Sequence, residues 1–378
     1  MMNMQFTCTK ENLSYALNLV SSVAGKQSNL PILSNVMLVA NDSSVELSAT
    51  NLEIGVKAHL RAKIDAPGSF TVPAKTLADF VALMSGDQVQ VTQKENELVI
   101  ESGRSNTKIK GVPAEEFPVI PEFVDGKSFS IERSRLKNGL AQVVFAASKT
   151  EIRPELSGIY FGFGVYGHPG LTLAATDSYR LAEKRLPVAQ GGDEVTCIVP
   201  SRTVSEFIRL LSLSESSDEK ETNVRFFVGD SQVALRYGSF EITSRLIAGR
   251  YPDYRQIVPG EFKTTALFSK SQMISSVKAA SLFAATGVNA VNIKLNPSAQ
   301  SVVVTSASSQ AGAYETALDI QGEGIENSIV LNHRYFLDGM AHLDGDEVVI
   351  SMNSGDAPSL LRAKDDKDYL YLVMPIRQ

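Results

Sequence analysis

The hexapeptide Gly162–Gly167, GFGVYG, comes nearest to a chemical signature, because it meets the G-x-G-x-x-G spacing of a dinucleotide cradle. Such a cradle works only when a helix follows, so that its N-terminal amides meet the pyrophosphate. Here His168, Pro169 and Gly170 lead into another β-rich run, so the segment reads as a glycine-rich hairpin. The four histidines, His59, His168, His333 and His342, stand in unlike contexts, with neither ligand spacing nor a nucleophile partner. Asp and Glu number 42, yet none are grouped as a two-metal site would need. Cys8 and Cys197 lie far apart inside apolar, β-like runs, which points to buried, inert thiols rather than a disulfide or a zinc site. The residues offer no catalytic constellation, no metal site and no cofactor site.

Length and composition set the frame for these negatives. A chain of 378 residues fits two or three domains of ordinary size and can bury a large apolar surface. It is 43% hydrophobic and 21% charged, the balance of a soluble globular protein, and no apolar run approaches the ~18 residues of a membrane span. Met1 to Lys10 lacks a basic stretch followed by an apolar one, so no secretory signal and a cytoplasmic location are expected. The net charge of −6 speaks against a nucleic-acid partner at first sight, but it does not say where the charges sit.

The elements that organise the chain form a threefold repeat. Each copy opens on a phenylalanine and an amphipathic helix: FTCTKENLSYALNLV from Phe6, FSIERSRLKNGLAQVV from Phe129 and FSKSQMISSVKAA from Phe268. Leu13, Ala16, Leu17 and Val20 make one helical face. Leu136, Leu140 and Val143 repeat it, and Ile274 with Val277 does so more loosely. A second helix recurs later, where Leu77, Phe80, Val81 and Met84 share their spacing with Val204, Phe207, Ile208 and Leu211, and with Phe336, Gly339, Met340 and Leu343. Between the helices lie alternating, β-branched segments, VELSATNLEIGVKAHL from Val45, LTLAATDSYRLAEKRL from Leu171 and VVVTSASSQAGAYETAL from Val302. Ala49-Thr50-Asn51 aligns on Ala175-Thr176-Asp177 without a gap. Proline-containing linkers, Glu115 to Pro121 and Gly249 to Pro259, close the first two copies. The expected fold is therefore α+β, three tandem pseudo-repeated domains of antiparallel sheets packed on two helices each, divided at 1–124, 125–259 and 260–378. An arc of three like units can close a ring by head-to-tail contact with a second copy.

Charge is segregated by element. The six helical segments carry eleven basic residues, Lys10, Lys75, Arg133, Arg135, Lys137, Lys149, Arg202, Arg209, Lys270, Lys278 and Arg334. Against them stand five acidic ones, Glu11, Asp79, Glu132, Glu206 and Asp338. A surplus of positive helices on an acidic chain suits a ring whose helices line a hole for phosphates, read without base specificity. Ordinary solvated helix faces would give the same count.

Four motifs, LPILSN (Leu30 to Asn35), ATDSYRLA (Ala175 to Ala182), YPDYRQIVP (Tyr251 to Pro259) and LVMPIR (Leu372 to Arg377), resemble those of the bacterial DNA polymerase III beta subunit, the DNA sliding clamp family. The likeness runs in order over essentially the whole chain. It implies three clamp domains, a head-to-tail homodimer forming a six-domain ring, and a processivity factor without a catalytic site of its own. The ring would encircle duplex DNA and tether the DNA polymerase III alpha subunit, the clamp loader delta subunit and other clamp-binding-motif proteins, with no membrane partner. By the same resemblance a peptide-binding cleft is formed by Leu156, Thr176, Ser178, Tyr179, Arg180, Leu181, Pro252, Ile257, Ser359, Leu372, Met374, Pro375, Ile376 and Arg377. Apolar side chains in that set suit hydrophobic anchors of an extended peptide, and Thr and Arg suit orienting hydrogen bonds. A tail ending in MPIR is unusual, since free tails tend to be polar, although Met374 and Ile376 could simply finish a core strand. DNA contacts are implied at Lys26, Lys149 and Arg153, and the charge pattern adds Lys75, Lys137, Arg202, Arg209 and Lys278. The dimer seam is implied at Thr107, Ile109, Leu282 and Phe283.

Departures from the family pattern are Ser178 where a glycine is frequent, Gln256 for an arginine, Pro154 and Glu155 for an aromatic pair, and Thr107 for an aromatic. Two readings from other classes stay open at this stage. One is an enzyme on an α+β scaffold with dispersed active-site residues, which nuclease or esterase assays would reveal. The other is a peptide-binding scaffold that never meets DNA, which retention on circular but not linear DNA would exclude.

Overall fold

Helical periodicity and strand alternation in the sequence are realised as helices and strands along the chain. The computed structural model describes residues 4–25, 30–120, 122–123, 125–150, 152–213, 222–285 and 287–377. Among them are six α-helices, Lys10–Val20 (α1), Ala74–Leu83 (α2), Arg133–Val144 (α3), Ser201–Leu213 (α4), Lys270–Ser281 (α5) and His333–His342 (α6). The Thr9 hydroxyl starts α1 by accepting from the Asn12 amide at 3.2 Å, and the Asn332 side chain starts α6 by accepting from the Arg334 amide at 2.9 Å. Pro73 and Pro200 stand just before α2 and α4, where a missing N–H costs nothing.

The chain folds as two compact units. The first gathers residues 1–133, 189–191 and 209–246, and the second 134–188, 192–208 and 247–378. The middle third of the chain thus contributes to both. Each unit contains two antiparallel sheets. In the first unit a five-stranded sheet runs Lys63–Ala66, Gln5–Thr9, Gln88–Lys94, Glu97–Ser102, Ser105–Lys110. Its nine-stranded sheet runs Val112–Pro113, Gly68–Pro73, Asn35–Ala40, Val45–Thr50, Ile54–Leu60, Phe240–Arg245, Gln232–Tyr237, Asn223–Val228, Lys127–Glu132. The second unit has a nine-stranded sheet in the order Val195–Pro200, Gly158–Phe163, Leu171–Thr176, Arg180–Leu186, Tyr369–Val373, Ser359–Ala363, Glu347–Met352, Thr264–Ser269, Gln321–Gly324. A four-stranded sheet follows, Gly312–Asp319, Ser301–Ser308, Ala290–Asn296, Asn327–Asn332. The GFGVYG segment is a hairpin: Phe163 pairs with Leu171, and Gly164, Tyr166 and Gly167 take positive φ in the turn between them.

Helices bury the stripes that the repeat requires. α1 buries Leu13, Ala16, Leu17 and Val20, and α3 buries Leu136, Gly139, Leu140 and Val143. In α5 the buried face is Met273, Ser276, Val277 and Ala280, so Ile274 is displaced by one position from the stripe expected of it. Gly339 of α6 faces Tyr371 so closely that a Cβ would lie 2.1 Å from the ring, which explains a glycine inside a helix.

Several of the basic residues counted on helices are turned inward. The first residue of each opening helix reaches the C-terminal end of the closing helix of the same repeat. Lys10 donates from Nζ to the Met84 carbonyl, Arg133 from Nη1 to the Leu211 carbonyl at 3.1 Å, and Lys270 from Nζ to the Leu343 carbonyl. A helix C-terminus has carbonyls without helical partners and carries partial negative charge, so a cation there is stabilising. Arg209 acts similarly across two repeats of the first unit, donating to the carbonyls of Asn18 at 2.8 Å and Leu19 at 2.7 Å at the end of α1. Lys149 is not helical, because α3 ends at Val144.

These caps carry a stability prediction. Lys10→Met and Lys270→Met should each cost about 1–2 kcal/mol, seen as a lower melting temperature, because a carbonyl end loses its cation. Lys75→Met, which removes an exposed ion pair with Asp79, should leave the melting temperature unchanged.

Candidate binding cleft

A hydrogen-bonded turn joins strands Leu171–Thr176 and Arg180–Leu186 in the second unit. Thr176 Oγ1 donates to the Arg180 carbonyl at 2.6 Å and accepts from the Ser178 amide at 3.1 Å. The Asp177 carboxylate accepts from the amides of Tyr179 at 3.0 Å and Arg180 at 3.1 Å. That geometry forces Ser178 to φ 76°, a left-handed conformation that glycine adopts more readily. The first unit repeats the turn: Thr50 Oγ1 bonds the Ile54 carbonyl at 2.8 Å, Asn51 accepts from Glu53 and Ile54, and Leu52 sits at φ 74°. In both places the turn is tied to the next repeat by one amide, Met374 to the Tyr179 carbonyl at 2.9 Å and Arg245 to the Glu53 carbonyl at 3.1 Å.

The two turns differ in what lies beside them. In the second unit Leu181 pairs with Leu372 across the strands, over a buried cluster of Leu156, Tyr160, Ala174, Ile198, Tyr251, Tyr254, Leu360 and Leu370. In the first unit the same register positions are Gly55 and Thr243, with Arg245 in the place of Met374. A Cβ on Gly55 would meet Ile120 Cγ2 at 2.5 Å, so a linker residue fills that space, and a groove of about 260 Å³ is left.

Linker residues 251–257 pack beside this turn in the second unit. Tyr251 Oη accepts from the Thr176 amide at 3.0 Å, and Tyr254 donates to Glu183 at 2.7 Å. Burial pushes both phenols far above their ordinary pKa, so they act as neutral hydrogen-bonding groups. Asp253 is held below the usual carboxylate range by the Arg255 guanidinium at 3.1 Å, with Gln256 donating at 3.3 Å. Gln256 is therefore tied to its own linker. The chain's tail meets the turn at Met374, and its Ile376 amide donates to the Val330 carbonyl at 2.8 Å. That bond holds the tail beside the edge strand Asn327–Asn332.

The residues expected to line a cleft separate into two layers. Leu156, Thr176, Leu181, Ser359 and Leu372 are buried, with the Ser359 hydroxyl directed at the Val373 carbonyl. Ser178, Tyr179, Ile257 and Arg377 are exposed, and Pro252, Met374, Pro375 and Ile376 are half-buried, so these eight offer the accessible surface. Arg180 departs from the expectation that it would present hydrogen bonds outward. It is 6% exposed, and each guanidinium nitrogen already donates: Nε to Asp177 at 3.0 Å, Nη1 to Asp338 at 2.6 Å and Nη2 to the Phe145 carbonyl at 2.9 Å. Burial works against its charge, but Tyr371, Asp338 and Asp177 outweigh that and hold its pKa above the ordinary value.

Sequence reasoning missed Tyr335, Asp338 and Phe145. Tyr335 stacks on Tyr179 with centroids 6.3 Å apart and lies 4.7 Å from the Arg180 guanidinium. Tyr335 and Asp338 are three apart on α6 and so share a face, but their distance of more than 150 residues from Arg180 in the chain hides the contact.

The other expected site residues are spread over the two units. Lys26 lies outside the described residues. Lys75, Lys149, Arg153, Arg202 and Lys278 are exposed, Lys137 is half-buried, and Arg209 caps α1 as described. Arg153 is held by Glu155 at 3.0 Å. Of the expected seam residues, Leu282 is 74% exposed, while Ile109 is already buried within its own unit. Thr107 is half-buried, and Phe283 stacks on Tyr314 at 5.8 Å. Both thiols are buried and pushed up to about 12, the inert state expected of them.

Three models of the DNA polymerase III beta subunit match this chain, the N-terminal domain at residues 4–121, the central domain at 130–253 and the C-terminal domain at 255–377. A beta sliding clamp of Synechococcus elongatus is 28% identical over 382 residues, 99% of each chain. The crystal structure of the DNA polymerase sliding clamp from Bacillus subtilis superposes with a TM-score of 0.92 at 26% identity, covering 100% of both chains. A sliding clamp of Pseudomonas aeruginosa bound to griselimycin superposes with a TM-score of 0.91 at 26% identity, again over 100% of both.

The left-handed residue makes a direct prediction. Ser178→Gly should raise stability by about 0.5–1 kcal/mol in thermal or denaturant unfolding, since it removes a Cβ from a conformation that disfavours one.

Proposed function

The chain belongs to the DNA polymerase III beta subunit family, and on that premise we propose how its parts perform the work of a sliding clamp. As a member it is a processivity factor without a catalytic site of its own. Two copies meet head to tail, close a six-domain ring around duplex DNA, and hold partners by a peptide docked in the cleft. The modules of the ring are residues 1–124, 125–259 and 260–378.

One observation carries the ring. Within each nine-stranded sheet, strands of one repeat continue into strands of the next through a single edge-to-edge pairing, Ile54–Leu60 on Phe240–Arg245 and Arg180–Leu186 on Tyr369–Val373. The four-stranded and five-stranded sheets have the strand count and order of the two halves of the second unit's nine-stranded sheet. Their matching edges, Gly312–Asp319 and Ser105–Lys110, have no strand partner on that side among the described residues. Joining these edges between two copies would complete a third nine-stranded sheet and remove an exposed row of amides and carbonyls. The edges are complementary in charge, Glu315 and Asp319 on one and Lys108 and Lys110 on the other.

The helices supply the apolar part of the same seam. Between the second and third repeats, Phe145 stacks on His342 with centroids 3.9 Å apart. Leu282 stands nine residues after Met273 as Phe145 does after Leu136, and Leu83 three after Phe80 as His342 does after Gly339. Leu282 and Leu83 are 74% and 86% exposed in the single chain, and apposition with the partner would cover both.

Lys75, Lys149, Arg153, Arg202 and Lys278 are the cations best placed to meet phosphates, with Lys26 and Lys137 completing the set, and their contacts would be sequence-independent. A topological tether needs only such weak contacts, and the docked partner gains effective concentration at the primer end. The DNA polymerase III alpha subunit and the clamp loader delta subunit are the partners we assign to the cleft, and the cytoplasm is the place of action. No helix of the described residues is long and apolar enough to cross a membrane.

Two experiments test this reading. Leu83→Asp or Leu282→Asp should each convert a particle of twice 40.9 kDa to one of 40.9 kDa in light scattering, and an unmodified chain that runs as a monomer would overturn the ring. Removing Met374 to Arg377 should abolish stimulation of polymerase while leaving the dimer mass intact; stimulation that survives the truncation refutes the cleft.

A further inference from the structure

We propose that Asp338 is a positioning residue of the docking cleft, acting through Arg180 on both rims without touching the ligand. The proposal rests on the reading of the cleft given above. Arg180 lies at the root of the turn that carries Tyr179, and it is too buried to serve the ligand itself. Its guanidinium plane is fixed by three acceptors from three elements. Asp177 belongs to the turn, the Phe145 carbonyl follows α3, and Asp338 belongs to α6. The ring of Tyr335, one helical turn before Asp338, lies 4.7 Å from the same guanidinium, and that of Phe145 lies 5.4 Å away. Tyr335 in turn stacks on Tyr179, which is 62% exposed at the rim.

The second rim is tied to the same point. The Tyr179 carbonyl accepts from the Met374 amide at 2.9 Å, so the position of the turn sets where the tail begins. Asp338 therefore governs, in sequence, the plane of Arg180, the tyrosine stack and the root of the Met374 wall. A planar, forked cation is what this geometry needs, because an ammonium could not donate in one plane to three fixed acceptors while lying against a ring. Asp338 is itself half in water, with its side chain 51% exposed, and in Asp338→Asn the buried Arg180 keeps its pairing with Asp177 and an amide oxygen as acceptor at Nη1, so the cost to folding is small. That separates its effect on the cleft from an effect on folding.

The test uses the full-length chain and a fluorescein-labelled extended peptide bearing leucine and phenylalanine anchors, followed by anisotropy. Asp338→Asn should weaken binding about tenfold, with dimer mass unchanged, as expected when a charge-assisted hydrogen bond that orients a site is lost. Combined with Tyr335→Leu it should give little further loss, because both variants release the same stack. Arg180→Lys, which keeps the charge and loses the fork, should show the same loss and the same non-additivity. A purely structural ion pair would instead give losses that multiply and follow the melting temperature. Binding by Asp338→Asn within about twofold of the unmodified chain, or multiplying losses, overturns the proposal. If binding survives removal of Met374 to Arg377, the cleft assignment itself falls. If that truncation abolishes binding while Asp338→Asn is neutral, only the positioning role falls.

Discussion

A β-sheet edge exposes main-chain donors and acceptors that must find partners or be protected, and this requirement organises the molecule. The repeats do not each close their own sheets. Strand Ile54–Leu60 ends one group of strands and Phe240–Arg245 begins another, and their pairing makes one continuous sheet. Arg180–Leu186 and Tyr369–Val373 do the same in the second unit. Two such junctions are built into one chain, and the proposed ring would pair the two remaining half-sheets with those of a second copy. The compact units therefore cut through the middle third of the sequence, because sheet continuity rather than chain order decides which residues fold together.

The helices follow from the same organisation. Their apolar stripes pack on sheets, which leaves their ends and outer faces to be satisfied in other ways. Lys10, Arg133 and Lys270 satisfy the ends by capping the closing helix of their own repeat. Arg209 extends this across repeats to α1, and Gln142 makes a comparable link at 3.3 Å to the His342 carbonyl at the end of α6. Internal junctions are thus locked by polar groups at helix termini. Ala82 and Ala279 occupy the matching positions of α2 and α5, so the proposed intermolecular junction has neither lock. Leu83 and Leu282, both exposed in the single chain, would give it an apolar contact instead.

The repeat was legible because helix periodicity is local: the same four-position spacing recurs along α2, α4 and α6 and the residue that follows α2 and α6, without reference to anything distant. The turn at Thr176 was legible too, since Thr and Asx side chains close such turns on their own backbone, and Ala49-Thr50-Asn51 announced its twin. Charge was less informative. A lysine at the first position of a helix looks the same in sequence whether it faces solvent or caps a distant carbonyl, and only the fold separates Lys10 and Lys270 from Lys75 and Lys278. Arg180 was misread for a related reason. Its partners Phe145 and Asp338 lie on helices whose approach depends on sheet register, a long-range property that no local pattern encodes.

Repeated architecture also explains why an apolar surface arises at one junction and not the other. The two turns have the same hydrogen bonds and the same amide tether to the following repeat, so backbone geometry alone does not make a cleft. What differs is the side chains across the pairing. Leu181, Leu372 and Met374 give an apolar floor and lip in the second unit. Gly55, Thr243 and Arg245 withdraw that surface in the first, and Ile120 takes up the space left by the missing side chain. Burial of a hydrophobic anchor is favourable only in proportion to the apolar area it covers. A duplicated scaffold thus supplies the same frame twice, and the side chains at three matched positions make one frame apolar and leave the other without that surface.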